Sequence, residues 1–249
     1  MAGHSKFKNI MHRKGAQDAK RAKVFTKLIR EILVAAKAGG ADSEFNPRLR
    51  TALATARAAN LPKQRIDAAI KKATSPNESN NFEEMTYECY LPGGIALIIE
   101  TLTDNKNRTA SDIKSILNKH GGSLAVSGAV LYLFEKFGFI EFKNTDIASE
   151  KILEAAINIG ANDCESTEDT HQIICLPDKL HEIQNSLSNQ FGEPIATKLI
   201  WQPKTQVAID SQEQAEKILN AIDKLEDSDD VQNIYGNHLI PDSLLTKLD

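Results

Sequence analysis

The stretch TYECYLPGGIALIIETLTDNKNRT, residues 86–109, is where the chain changes character and where its fold class is decided. Thr86 to Leu91 is rich in aromatic and β-forming residues and reads as a strand. Pro92-Gly93-Gly94 supplies a turn, and the apolar run Ile95 to Thr103 reads as a second strand. Asp104-Asn105-Lys106-Asn107 is a polar loop before a helix expected from Thr109 to His120, which Gly121 and Gly122 end. Val130 to Phe134 then resumes a strand. A hairpin followed by a helix and another strand makes this an α+β segment.

Upstream the signal is purely helical. From Gln17 to Ala38, the residues Phe25, Leu28, Ile29, Ile32, Leu33 and Ala36 form one apolar face, beside which Lys20, Lys23, Lys27, Arg30 and Lys37 recur. Gly39 and Gly40 supply the stop. Asn46 is placed to cap a second helix with Pro47 at its first position, running to about Asn60. Pro62 opens a third helix to about Ala73, with Ile66, Ala69 and Ile70 inward and Lys63, Arg65, Lys71 and Lys72 outward. The many alanines let these helices approach closely. The opening segment, MAGHSKFKNIMHRKG, carries too weak a periodicity for a helix and reads as a basic arm that orders on its partner.

Downstream, residues 136–203 have an order of their own. Strand Phe139–Lys143, helix Asp146–Ile159, strands near Asp163–Glu165 and His171–Leu176, helix Pro177–Phe191 and strand Ile195–Trp201 give βαββαβ, the order of a ferredoxin-like unit. Helix Ser211–Leu225 and strand Val231–Tyr235 lack a core unless they join the earlier segment. The expected fold is therefore α+β: an N-terminal helical domain (1–80) plus two α/β-sandwich domains. One of these, ferredoxin-like (136–203), is inserted in the other, which is discontinuous (81–135 plus 204–249).

Charge follows the same division. The 249 residues carry a net charge of −4, yet residues 1–80 hold 17 Lys or Arg against 6 Asp or Glu, and the remainder 13 against 28. The basic third should attract polyanions. Lys6, Lys8, Arg13, Lys14, Lys20, Arg21, Lys23, Lys27 and Arg30 face only Asp18 and Glu31 nearby, a spread suited to phosphate contact. Phe7 suits base stacking and core packing equally.

Catalytic and metal chemistry find no constellation. Cys89, Cys164 and Cys175 form no CxxC pair and read as reduced thiols. His4 and His12 lie among cations that disfavour a metal ion, and His120, His171, His181 and His238 are scattered. The paired glycines lack the spacing of a phosphate-binding loop. Asp104 is placed either to pair with Arg108 or to belong to a recognition loop, and the acidic run Glu226, Asp227, Asp229, Asp230 reads as a solvated helix end. No cofactor and no metal are expected. No uninterrupted apolar stretch approaches the length that a membrane-spanning helix needs, so no membrane association is expected either. The cytoplasm is the default location.

The motifs MAGHSKFKNIMHRKGAQDAKRAKVFTKLIREI, NPRLRTALATARAANLPKQRIDAAIKKA, YLPGGIALIIETLTDNKNRTASDIK and LEDSDDVQNIYGN resemble those of the YebC/PmpR family. These are bacterial proteins described as probable transcriptional regulators, related to the mitochondrial translational activator of cytochrome c oxidase subunit I. The resemblance covers essentially the whole chain and implies three domains, one inserted in another, and no enzyme activity. It implies nucleic-acid contact at His4, Ser5, Lys6, His12, Arg13, Lys14, Lys20 and Arg21, to which the charge pattern adds Lys8, Lys23 and Lys27. It also implies a characteristic surface at Tyr87, Pro92, Gly93, Gly94, Asn105, Asn107, Arg108 and Thr109. Phe7 stands where the family commonly has tryptophan, and Cys89 and Leu91 stand where glycines are common.

Two main readings follow. A DNA-binding transcriptional regulator agrees with the family's usual description. A ribosome-associated translation factor binding ribosomal RNA by shape agrees with the lack of an evident dimeric reading head. A protein-interaction scaffold is the third. The expected partners are DNA or ribosomal RNA, with a protein partner for the acidic domains and a monomeric chain.

Overall fold

A computed structural model describes residues 17–75, 82–145 and 147–245. Three helices come first: α1 (Gln17–Gly39), α2 (Pro47–Ala58) and α3 (Lys63–Ala73). Asn46 is the residue that joins two of them. Its Oδ1 accepts from the Leu49 N–H at 3.0 Å, capping α2, while its Nδ2 donates to the carbonyls of Ala35 and Gly40 at the end of α1. Asn46 is buried with all these groups satisfied, so the α1–α2 corner is set by one side chain. The buried alanines Ala35, Ala36, Ala52, Ala56 and Ala69 line the helical region, as expected from their number. Pro62 precedes α3 as its cap and not as its first residue.

The first sheet is built on the hairpin β1 (Glu83–Leu91) and β2 (Ile95–Thr103), paired from Glu83 opposite Thr103 to Leu91 opposite Ile95. Every β2 residue except Glu100 is buried, which is why its sequence is an almost unbroken apolar run. Helix α4 (Lys106–Lys119) follows, then β3 (Ser123–Leu124). The chain then departs and returns with β8 (Val207–Ala208), helix α7 (Gln212–Glu226), β9 (Val231–Gly236) and β10 (His238–Leu239). The sheet order is β3-β1-β2-β9, with a core of Cys89, Leu97, Ile99, Ile113, Leu117, Ile218 and Leu225.

Three expectations are corrected here. Val130–Leu133 is no strand: Leu131–Leu133 is a 3-10 turn, Phe134 opens a strand of the other sheet, and the edge strand here is β3. The cause is Glu88. Its buried carboxylate accepts the N–H groups of Gly128 (2.5 Å), Val130 (2.5 Å) and Leu131 (2.9 Å), so these donors are satisfied in a tight loop and need no ladder. Second, α4 starts at Lys106, because Asn105 caps it by accepting from the Arg108 N–H at 3.1 Å. Asn107 and Arg108 therefore lie in a helix and not in a loop. Third, the parallel pair of β8 with β10 adds to the expected strands; elements this short carry no periodicity that a sequence could show.

The second sheet comprises β4 (Phe134–Lys143), β5 (Asp163–Ser166), β6 (Thr170–Cys175) and β7 (Ala196–Pro203), in the order β5-β6-β4-β7. Helices α5 (Ser149–Asn158) and α6 (Leu180–Phe191) interleave with these strands, and α5 starts at Ser149, later than the expected Asp146. Ile140, Phe142, Ile173, Cys175, Ile152, Ile183 and Leu187 form the core. Gly138 lies opposite Cys175 in the ladder, where an added Cβ would sit 2.6 Å from the Cys175 sulfur, so only glycine lets strand and helix meet. The chain is thus α+β, with an N-terminal helical region and more than one sheet. It divides into two compact units, residues 17–27, 82–135 and 202–245, and residues 28–75 and 136–201.

Candidate nucleic-acid interface

His4, Ser5, Lys6, Lys8, His12, Arg13 and Lys14 lie outside the described residues, and Lys20 and Arg21 belong to α1. Lys23 and Lys27, one turn apart on α1, meet the end of α7. Lys23 Nζ lies 2.5 Å from Asp227 Oδ1, and Lys27 Nζ donates to the Glu226 carbonyl at 3.1 Å. That carbonyl is one of those a helix leaves unpaired at its C-terminus, where the peptide dipoles also favour a cation. Burial lowers the pKa of Lys27, against the opposing attraction of Glu226 and Asp229. The Lys23 hydrogen bond holds the Asp227 carboxyl below its usual range.

Helix α3 has a different surface. Ile66 and Ala69 are buried, while Lys63, Gln64, Arg65, Lys71 and Lys72 are exposed, with Asp67 as the sole acidic residue of the helix. An amphipathic helix with its apolar side committed to packing presents these cations on a fixed scaffold. The charge pattern places them outward, although the denser run of cations ahead of Glu31 is the more prominent signal in the sequence.

The middle candidates separate into two groups at opposite ends of the β1–β2 hairpin. Arg108 and Thr109 gather at the start of α4 around Asp230, Asn105 caps the helix beside them, and the Tyr87 hydroxyl donates to the Lys106 carbonyl at 3.2 Å. Arg108 Nη2 donates to Asp230 (2.9 Å) and to Asp104 (2.8 Å). The Thr109 hydroxyl lies 2.7 Å from the same Asp230 oxygen, and the Thr103 hydroxyl 3.3 Å from it. These contacts, Asp230 first, raise the Arg108 pKa further. Asp230 is only 5% exposed, so the reading of the acidic run as a solvated helix end is wrong at this residue. Nothing local marks it, since its partners are Thr103, Arg108 and Thr109. At the other end, Pro92, Gly93 and Gly94 are exposed, and Gly93 takes a φ of 83° that favours glycine, with the movable Gln214 amide beside it. The turn borders a shallow pocket of about 250 Å³ with His120, Ser211, Gln214 and Lys217.

Burial alone would raise the Glu88 carboxyl, but the three N–H groups outweigh it and hold it below its ordinary value. Burial pushes the Cys89 thiol up to about 12, and those of Cys164 and Cys175 up to about 11, so all three are protonated and poorly nucleophilic at neutral pH. Among the described residues, no group of three or more His, Cys, Asp or Glu is placed to hold a metal ion, and no helix is long and apolar enough to cross a membrane.

Comparison with known proteins gives a consistent result. Residues 5–76 match the TACO1/YebC protein N-terminal domain, and residues 82–238 match the TACO1/YebC second and third domain. A protein of Rickettsia bellii described as a "Probable transcriptional regulatory protein" is 50% identical over 244 residues, 98% of this chain and 95% of the relative. The crystal structure of a conserved hypothetical protein from Aquifex aeolicus superposes with a TM-score of 0.84 at 43% identity, covering 92% of this chain and 95% of that one. The chain belongs to the TACO1/YebC family of non-catalytic regulatory proteins.

Proposed function

We propose that this chain is a DNA-binding transcriptional regulator that meets phosphates through its basic N-terminal third. The observation that carries the reading is the exposed face of α3, where Lys63, Arg65 and Lys71 surround a helix anchored by Ile66 and Ala69. Cations on a rigid helix can fix register on a polyanion, and Arg65 and Gln64 also carry the donors and acceptors that read base edges. In the same proposal His4, Ser5, Lys6, Lys8, His12, Arg13, Lys14, Lys20 and Arg21 extend the contact along the backbone. The choice of DNA rests on the description of the Rickettsia bellii relative.

The second reading is a translation factor bound to ribosomal RNA, supported by the resemblance to the mitochondrial translational activator. Crosslinking in living cells and sequencing of the bound nucleic acid distinguishes the two. Recovery of promoter DNA without ribosomal RNA is expected; recovery of ribosomal RNA alone overturns the DNA reading.

The proposed organisation has a helical domain over 1–80, a discontinuous α+β domain over 81–135 and 204–249, and a ferredoxin-like domain over 136–203. The strand order β5-β6-β4-β7 and the pairing of β2 with β9 across that insertion support it. The acidic domains would then be the ones to meet a protein partner, in a monomer working in the cytoplasm.

A further inference from the structure

Two lysines that the charge pattern assigns to phosphate contact are already engaged. Lys23 meets the Asp227 carboxylate, and Lys27 meets the neutral carbonyl of Glu226, both at the C-terminal end of α7. Lys224 also reaches Asp227, at 3.4 Å. A carboxylate and an exposed carbonyl together offer what a phosphate offers, oxygen acceptors with negative potential, and the helix dipole adds to it. We propose that the acidic end of α7 is an internal competitor that occupies Lys23 and Lys27 until a nucleic acid displaces it. The proposal rests on the nucleic-acid-binding reading above.

The character of the contact fits exchange better than permanent fastening. The side chains of Lys23 and Asp227 are 38% and 49% exposed, so water and salt weaken their attraction. Lys27 donates to a carbonyl, with the carboxylates of Glu226, Asp229 and Asp227 attracting it from beyond hydrogen-bond reach, so a phosphate would bring a full negative charge into direct contact. The same segment shows what a fastening contact looks like: Asp230, with its side chain 7% exposed, is held by Arg108 and the Thr109 hydroxyl. A polyanion that displaces Asp227 also gains the release of its own counterions, which a lone carboxylate cannot match.

The test uses the full chain, with a short fluorescein-labelled DNA duplex and an RNA hairpin as probes. Asp227→Asn is compared with Glu213→Gln, which removes the same charge and a similar lysine pair at the other end of α7. Asp227→Asn is expected to bind at least one probe about 2-fold more tightly than either wild type or Glu213→Gln. The gain should vanish when Lys23→Ala and Lys27→Ala are added. Asp227→Glu, which keeps the charge, should behave as wild type, and melting curves identify any variant that loses its fold. Equal affinities for Asp227→Asn and Glu213→Gln, or a gain that survives loss of both lysines, overturn the competitor. If neither wild type nor any variant binds either probe at low salt, the nucleic-acid-binding reading itself falls, and the competitor with it.

Discussion

The acidic run Glu226–Asp230 and the basic face of α3 look alike in sequence, each a cluster of like charge at or near the end of a helix, yet the fold uses them in opposite ways. The run is partly engaged: the Glu226 backbone carbonyl takes Lys27, Asp227 takes Lys23 and Lys224, and the buried Asp230 takes Arg108 with two threonine hydroxyls, while Asp229 stays exposed. The α3 face is turned to solvent, with Lys63, Arg65 and Lys71 all exposed. Formal charge counts what a chain carries, whereas binding depends on what remains after the chain has paired with itself. The excess of cations over residues 1–80 therefore overstates the charge that can reach a partner.

The largest expected effect is at Asp230, the buried residue of the acidic run. Asp230→Ala should cost about 4 kcal/mol of stability in urea unfolding, because it strands Arg108, Thr103 and Thr109 around an emptied buried site. A loss below about 1 kcal/mol would mean that the run is solvated after all. Next, replacing Lys63, Arg65 and Lys71 together by alanine should weaken nucleic-acid binding about 30-fold near physiological salt and flatten the salt dependence, with melting temperature little changed. An unaffected salt slope would place the binding face elsewhere.

The smallest effect sharpens the contrast within the run itself. Asp227→Ala should cost about 0.5 kcal/mol or less, as half-exposed pairs do. The Lys23 hydrogen bond depresses the folded pKa of Asp227, so its contribution is complete above the unfolded value near 3.8. It is lost as pH falls through the lower folded value. Wild type and variant should thus converge in stability below that pH, and a difference that grows on acidification would assign the effect to another group.

Glu88 obeys the same rule as Asp230. It lies in β1 with Glu83 and Glu84, and nothing in its neighbours separates it from those exposed acids. Its partners are the N–H groups of a loop 40 or more residues away, and that loop stands where a strand is expected at Val130–Phe134. By contrast, Asn46-Pro47 announces the start of α2, and the apolar run Ile95–Thr103 announces β2 to the residue. The candidate site divides in the same way: α3 is legible as an amphipathic basic helix, whereas the fate of Lys23 and Lys27 is not.

Local pattern alone determined the three N-terminal helices, the β1–β2 hairpin, the βαββαβ order of the second sheet and the segregation of charge. Caps, turns and periodicity involve residues within a few positions of each other, so one stretch of chain contains both halves of each interaction. Which charges stay available depends on contacts between residues far apart in the chain. Lys23 and Asp227 are 204 positions apart, and Arg108 and Asp230 are 122 apart. A carboxylate becomes a fastening or a solvated charge according to what folding brings beside it and how much water it removes.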